Sequence, residues 1–307
     1  MKILLTGGSG MVGRNLQEQL RGGHHNLIAP SSNELDLTSL STTLDYLRTH
    51  KPDLVVHAAG RVGGIQANMQ EPFRYFVENL DMGRNIICAA LDAGVTKLIN
   101  LGSSCMYPRD HNEALREEQI LTGELEPTNE GYALAKIATA KLCEYAKCVM
   151  QSAQYKTIIP CNLYGRFDKF DPKHSHLLPA IIEKIHRAKS EGIEKVEIWG
   201  DGSARREFMY AGDFAHALIS AIDDFDSIPS LMNVGLGQDF SIKEYYEAVA
   251  EVLGYKGGFI FDTTKPVGMA RKLVNIERQT AWGWAPKHSL QDGIAATYQY
   301  YLQEYNV

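Results

Sequence analysis

No stretch of this chain approaches the roughly 18–20 apolar residues that a membrane-spanning helix needs, so a membrane is not an expected partner. The opening MKILLTGGSG has one lysine and a short apolar run that breaks on glycines. It lacks the longer apolar stretch and small-residue cleavage site of a secretory leader. There is no basic block: 31 Lys and Arg stand against 37 Asp and Glu, and a formal net charge of −6 argues against a nucleic-acid surface. Cysteine is scarce, five in all (Cys88, Cys105, Cys143, Cys148, Cys161), and the odd count without a leader favours reduced thiols in a cytoplasmic location. The cysteines lack zinc-ribbon spacing and no histidine pair has helix-ligand spacing, so no metal is expected. Internal repeats and low-complexity tracts are missing too. What is there is ordinary globular composition, 44% hydrophobic and 22% charged over 307 residues, enough for a large core and an appended lobe.

The first half of the chain alternates. Short apolar runs (KILLT, NLIAPS, DLVVHAAG, KLINLGSS, KTIIPCNLYG) are separated by segments of helical spacing such as MVGRNLQEQLRG and EGYALAKIATAKLCEYAKCVM. Continuous apolar strands between helices predict a parallel sheet covered on both faces. After about residue 163 the rhythm breaks into a polar, proline-bearing loop, a helix over LLPAIIEKIHRAKSEG and a strand plus turn in KVEIWGDGSARREFMY. The expected fold is α/β: a Rossmann-type doubly wound parallel sheet in residues 1–163, and a smaller C-terminal α/β substrate lobe in 164–307, interleaved with returns to the main sheet.

TGGSGMVG places Gly7, Gly10 and Gly13 between the first strand and the first helix. Glycines there permit a tight turn and let the backbone approach a pyrophosphate seated on the helix N-terminus. The second strand ends IAPSSN, so Ser31, Ser32 and Asn33 stand where NAD sites place an acid for the ribose hydroxyls; small polar residues favour NADP. Arg14 reads as a surface helix residue. The candidate cofactor contacts are Gly7, Gly10, Met11, Val12, Gly13, Ser32, Ala58, Tyr132, Lys136 and Asn162.

Tyr132 and Lys136 lie four apart, on one helix face. A lysine beside a tyrosine is expected to lower the phenol from its usual value near 10 and make it a usable acid or base. Ser103, at the end of the preceding strand, can hydrogen-bond the same carbonyl oxygen. The three residues suit a reduction in which a proton goes to an oxygen and a nicotinamide hydride goes to its carbon.

Several stretches go beyond this common pattern: VGGIQAN (62–68), LGSSCMYP (101–108), EPTNEGYALAKIA (126–138), NLYG (162–165), SHLLPA (175–180), EIWGDGSARREF (197–208) and YKGGFIFDTTKP (255–266). With them the chain resembles the extended short-chain dehydrogenase/reductase superfamily, and within it the GDP-L-fucose synthase family of 3,5-epimerase/4-reductases. The resemblance implies a GDP-sugar substrate and NADPH, and it assigns Cys105 and His176 to epimerisation. The chemistry agrees: a C4 ketone acidifies C3 and C5, and inversion needs a base on one ring face and an acid on the other. A thiolate of lowered pKa can be the base, with a histidine as partner acid. His174, beside His176, does not fit the Ser-His pattern. The other four cysteines read as small buried thiols.

The same resemblance implies that Trp199 and Arg206 serve the nucleotide and sugar-phosphate, with Lys184 also meeting phosphate; an aromatic plane suits guanine and a guanidinium forks onto a diphosphate. Arg205 reads as a solvated neighbour. GRFDKF (165–170), and Val267 and Asn275 in KPVGMARKLVN, depart from the family form, and these departures leave the exact sugar open. The expected product is GDP-L-fucose. The alternatives are a GDP-L-colitose synthase inverting C5 alone, a C4-only reductase on a GDP-6-deoxy-heptose, and a non-catalytic NADP-sensing regulator, against which Ser103, Tyr132 and Lys136 together count. Family members pair through a four-helix contact, so a homodimer through the 71–93 and 131–150 helices is expected, with Ile86 and Val149 as candidate outward residues.

Overall fold

The computed structural model describes residues 1–111, 113–171, 175–265 and 269–305; His174 and Val267 lie outside them. The chain begins β1 (Lys2–Thr6), α1 (Met11–Leu20), β2 (Asn26–Ile28), α2 (Leu40–His50), β3 (Leu54–His57), α3 (Ile65–Gln70), α4 (Pro72–Asp92), β4 (Lys97–Leu101), α5 (Glu130–Val149) and β5 (Gln154–Pro160). It continues β6 (Asn162–Tyr164), α6 (Leu177–Glu191), β7 (Lys195–Trp199), β8 (Arg205–Arg206), β9 (Phe208–Tyr210), α7 (Ala211–Asp223) and β10 (Leu231–Val234). It closes with β11 (Phe240–Ser241), α8 (Ile242–Leu253), β12 (Gly258–Asp262), β13 (Arg271–Lys272), α9 (Glu277–Trp282) and α10 (Leu290–Tyr305).

Local chemistry sets several boundaries. Pro72 opens α4, where its missing N–H has no helical partner to lose. Ser241 and Glu244 form a reciprocal capping box at the start of α8, which ends on Gly254 at φ +70.

Six parallel strands form the main sheet in the order β10-β5-β4-β3-β1-β2. The order reverses between β1 and β3, so the crevice beyond their carboxyl ends is the switch point where α/β sheets bind ligands. Strand residues alternate between two buried faces. Ile3, Leu5 and Val56 pack with Leu16 of α1 and with Phe214 and Leu218 of α7. Leu4, Val55 and Leu98 pack with Leu47 of α2, Ile86 and Ile87 of α4 and Ala146 of α5. The doubly wound α/β sheet expected from the sequence is thus present, and β10 is a late strand that returns to it.

The sequence reading assigned no helix to 211–223. AGDFAHALISAID is mostly apolar and buried against α1, and its polar stripe is narrow, His216, Ser220 and Asp223, so its period is easily passed over. A further core joins α6, α8 and α10 and is rich in aromatics, among them Tyr164, Phe170, Tyr245, Tyr246 and Tyr301.

Candidate active site

Beyond β1, Gly7 has φ +73, and a Cβ there would lie 2.6 Å from the Ala58 carbonyl carbon. At Gly13 a Cβ would lie 2.3 Å from the Gly7 oxygen. Only glycine lets loop and helix come this close. Gly10 is the N-cap of α1 and carries no side-chain cap, so the first-turn N–H groups of Met11, Val12 and Gly13 receive no side-chain acceptor from it. Such a cradle fits a pyrophosphate.

Past β2, Ser31, Ser32 and Asn33 are exposed as small polar residues, and an acid, Glu34, follows them. Glu34 folds back so that its carboxylate accepts from the Ser31 N–H and hydroxyl, both at 2.8 Å, and these bonds hold its carboxyl below the usual range. Ser32 is exposed beside it. Arg14 stacks on Phe167, 3.9 Å from the ring centroid.

Beyond β4, Lys136 is 6% exposed and donates to the Leu101 carbonyl at 2.9 Å, with its Nζ 5.9 Å from the Tyr132 ring centroid. Burial lowers the Lys136 ammonium to about 8. Burial, and then Cys105, push the Tyr132 phenol up, while a hydrogen bond with Ser103 draws it down. The expected lowering of the phenol by Lys136 is therefore reversed in the protein by itself, and Tyr132 holds its proton. Beneath the loop, His57 shares a 2.8 Å hydrogen bond with Thr6, and burial followed by Lys136 depresses it to about 3, so it is neutral.

The 58–64 segment links this group to the His176 side. A Cβ at Gly60 would lie 3.7 Å from the Lys136 Nζ, and one at Gly64 would lie 3.3 Å from the Ser175 carbonyl. The Asn68 amide fixes the bend by donating to the Gly63 and Gly64 carbonyls at 2.8 and 3.0 Å.

Cys105 sits in a short 3-10 turn, Ser104–Met106, whose N-cap is Ser103; the Ser103 hydroxyl accepts from the Cys105 N–H at 3.2 Å. Its sulfur accepts from the Asn129 amide at 3.1 Å and from Lys272 at 3.5 Å. Neither partner was singled out from the sequence. Asn129 stands in the EPTNEGY stretch three residues before Tyr132, a local signal that could have been followed. Lys272 is 167 positions from Cys105 and gives none.

His176 occupies the N-cap position of α6, but its side chain makes no capping bond. Its Nδ1 lies 3.9 Å from the Asp168 carboxylate, whose side chain is 6% exposed. No hydrogen bond or ion pair joins His176 to Cys105 among the described residues. Asn162 donates to the Glu207 carbonyl at 2.9 Å.

At the lobe end, Lys184 is half-buried on α6 and donates to the Glu197 carbonyl at 2.5 Å; burial lowers its pKa. Trp199 is 49% exposed and its indole N–H meets Glu197 at 3.0 Å, with the Lys265 ammonium 5.7 Å from its ring, so it is no core residue. Burial draws the Arg206 guanidinium down, opposed by Glu126. Arg205 keeps a side chain 41% exposed, as expected of a solvated neighbour, and is also paired with Asp239 at 2.8 Å and Glu244 at 3.4 Å. A concavity of about 480 Å³ lined by Gly200, Ser203, Arg205, Thr263 and Lys265 opens here.

Among the other cysteines, Cys143 and Cys161 are buried as expected, but Cys88 is half-buried and Cys148 is exposed. One group among the described residues could hold a metal ion, His24, His25 and Asp223, which the spacing of histidines did not suggest. No helix among the described residues is long and apolar enough to cross a membrane.

A doubly wound parallel sheet with a glycine cradle at its switch point places this chain in the class of Rossmann-type dinucleotide-dependent enzymes. Within that class the chain belongs to the NAD dependent epimerase/dehydratase family, whose model matches residues 3–235. It is 54% identical to a GDP-L-colitose synthase of Yersinia pseudotuberculosis, over 100% of this chain and 99% of that one. It is 52% identical to a GDP-L-fucose synthase of Azorhizobium caulinodans, covering 98% and 96%. A solved GDP-mannoheptose C4 reductase of Campylobacter jejuni, with NADP bound, superposes with a TM-score of 0.88 at 31% identity, covering 98% of each chain.

Proposed function

We propose that the protein converts a GDP-4-keto-6-deoxyhexose to a GDP-L-sugar, GDP-L-fucose in the leading case, by epimerisation at C3 and C5 followed by NADPH-dependent reduction at C4. The observation that carries the reading is Cys105: a thiol facing a lysine and an amide donor, one short turn from the hydroxyl that meets Tyr132. A plain C4 reductase has no use for it.

In this reading Cys105, acting as thiolate beside Lys272 and Asn129, removes the proton on carbon beside the ketone. The negative charge passes to the C4 oxygen, where the Ser103 hydroxyl and the protonated Tyr132 hydrogen-bond it. His176, reached from the other side of the VGGI bend, returns a proton to the opposite face of the ring carbon. Tyr132 later protonates the C4 alkoxide, and the Lys136 ammonium helps to hold the dinucleotide ribose and restore that proton. The bound nicotinamide supplies the hydride. Gly7, Gly10, Met11, Val12 and Gly13 would hold its pyrophosphate, with Ser32, Ala58 and Asn162 along its length. Lys184, Trp199 and Arg206 would hold the GDP end.

Residues 1–163 serve the cofactor and 164–307 the GDP-sugar in this proposal. The molecule works as a cytoplasmic homodimer, which is supported by exposed apolar residues on α4 and α5: Phe73 at 76%, Tyr145 at 55% and Val149 at 75%; Ile86, by contrast, is buried in its own core.

The test is one reaction in D₂O with GDP-4-keto-6-deoxymannose and NADPH, run beside Cys105→Ser and read by NMR. Deuterium at C3 and C5 in an L-galacto product, lost in the variant while some reduction persists, is the expected outcome. Reduction without deuterium would overturn the epimerase half. The 54% relative favours a second reading, on a 3-deoxy substrate, in which deuterium enters at C5 alone.

A further inference from the structure

Glu207 follows Arg206 in the chain and is 1% exposed. Its carboxylate accepts three backbone N–H groups from two separate segments. One oxygen takes Leu236 at 2.6 Å and Gly237 at 2.9 Å, and the other takes Val274 at 2.8 Å. Its own N–H donates to the Lys272 carbonyl at 3.2 Å, and its own carbonyl accepts from the Asn162 amide. There is no slack around it: a Cβ at Gly235 would lie 2.4 Å from its Oε1.

Lys272, whose ammonium meets the Cys105 sulfur, sits on a strand of two residues in register with Arg206. A ladder so short fixes little by itself. Glu207 holds both sides of Leu273, its N–H on the Lys272 carbonyl and its carboxylate on the Val274 N–H, while Leu115 bonds the Leu273 carbonyl and the Asn275 N–H from the other side. The grip calls for an acceptor-only group: a glutamine would turn an N–H₂ toward a backbone N–H. It is also a costly group to bury, and burial pushes the carboxyl up to about 7 despite its three donors.

We propose that Glu207 is a positioning residue that locks the 272–274 segment so that Lys272 stands against the Cys105 thiol, coupling that thiol to the strand that carries Arg206. This rests on the functional reading above only for the reaction the thiol performs; the geometric claim can be tested without substrate.

The experiment follows alkylation of Cys105 by iodoacetamide against pH, read by mass spectrometry of its peptide, in the whole protein. The groups facing the thiol are Lys272, Asn129 and Tyr132. Wild type, Glu207→Gln, Lys272→Met and the double variant are compared, each with its melting curve. Lys272→Met is expected to slow the alkylation severalfold at neutral pH, because the cation beside the sulfur is gone. Glu207→Gln should slow it too, and the double variant no further than Lys272→Met alone, because both act through one contact. A folded Glu207→Gln with the wild-type rate overturns the proposal, and so do additive effects. Should Glu207→Gln fail to fold, an unchanged rate in Lys272→Met overturns it equally; where Lys272→Met is slowed, Gly235→Ala slowed alike supports the proposal and Gly235→Ala at the wild-type rate overturns it. Absence of solvent deuterium in the sugar would sink the epimerase reading and leave these profiles as they are.

Discussion

The molecule has two kinds of core. Around the six-stranded sheet the buried side chains are mostly aliphatic, and they alternate residue by residue between two helical layers. Around α6, α8 and α10 aliphatic side chains are joined by many tyrosines and two buried phenylalanines, and phenols reach for backbone: Tyr245 to Arg206 at 2.8 Å and Tyr255 to Ile193 at 2.9 Å. The first core positions groups by period, since a strand end and a helix face are fixed once the pattern is fixed. The second positions them by single hydrogen bonds between segments far apart in the chain. In the mechanism proposed above, the reductive residues Ser103, Tyr132 and Lys136 sit at ends of the first kind. Arg206 is tied to the second through Tyr245, while Lys272 is held through Glu207 and Val274, which packs in the first.

The comparison breaks first at Tyr132, where the largest effect is expected. Tyr132→Phe should slow C4 reduction by about 10²–10⁴-fold, the usual worth of a positioned proton donor, with little change in NADPH affinity. Single-turnover oxidation of NADPH measures it. A wild-type rate would mean that the sheet end does not carry the proton.

Next is Lys136, a charge buried by the regular core itself. Its folded value of about 8 lies below the ordinary 10.5, so between the two the folded protein binds fewer protons than the unfolded chain. The penalty on stability is whole below about pH 8 and is lifted as pH rises toward the unfolded value. Wild type should therefore gain up to about 3 kcal/mol relative to Lys136→Met between about pH 8 and about pH 10, in denaturant melts. A flat difference would place the ammonium in contact with water.

Gly13→Ala sharpens the same side. Its Cβ would press on the Gly7 carbonyl at 2.3 Å, backbone against backbone. Overpacking of this kind costs about 1–3 kcal/mol, seen as a lower melting temperature and weaker NADPH binding, with the rate at saturation nearly kept.

The two modes of positioning also explain what could be read from sequence. The glycine loop, Ser103 and the Tyr132–Lys136 pair declare themselves because their spacing is local and the elements that carry them alternate. VGGI and SSCMYP are legible as motifs, and the structure shows that VGGI bends between Lys136 and Ser175. Lys272 and Glu207 give no such signal, for their partners lie on segments that only the fold brings together. Helix α7 shows only the narrow polar stripe of His216, Ser220 and Asp223, too little to mark it among apolar neighbours. The phenol of Tyr132 was misjudged because its lysine was counted without the cost of burying both groups.

The smallest effect is expected in the aromatic core, and it tests whether single hydrogen bonds there act on substrate binding. Tyr245 is fully buried and its hydroxyl donates to the Arg206 carbonyl, on the strand paired with Lys272. Tyr245→Phe keeps the ring, which packs edge-on against Phe208 and Phe240, and removes that one bond, worth about 1 kcal/mol. If the bond holds Arg206 for the diphosphate, KM for the GDP-sugar should rise about fivefold at an unchanged kcat, because 1.4 kcal/mol is tenfold in an equilibrium constant. A fall in kcat with KM unchanged would show instead that the strain runs along the strand to Lys272 and the thiol. The two cores would then share one catalytic geometry rather than divide binding from chemistry.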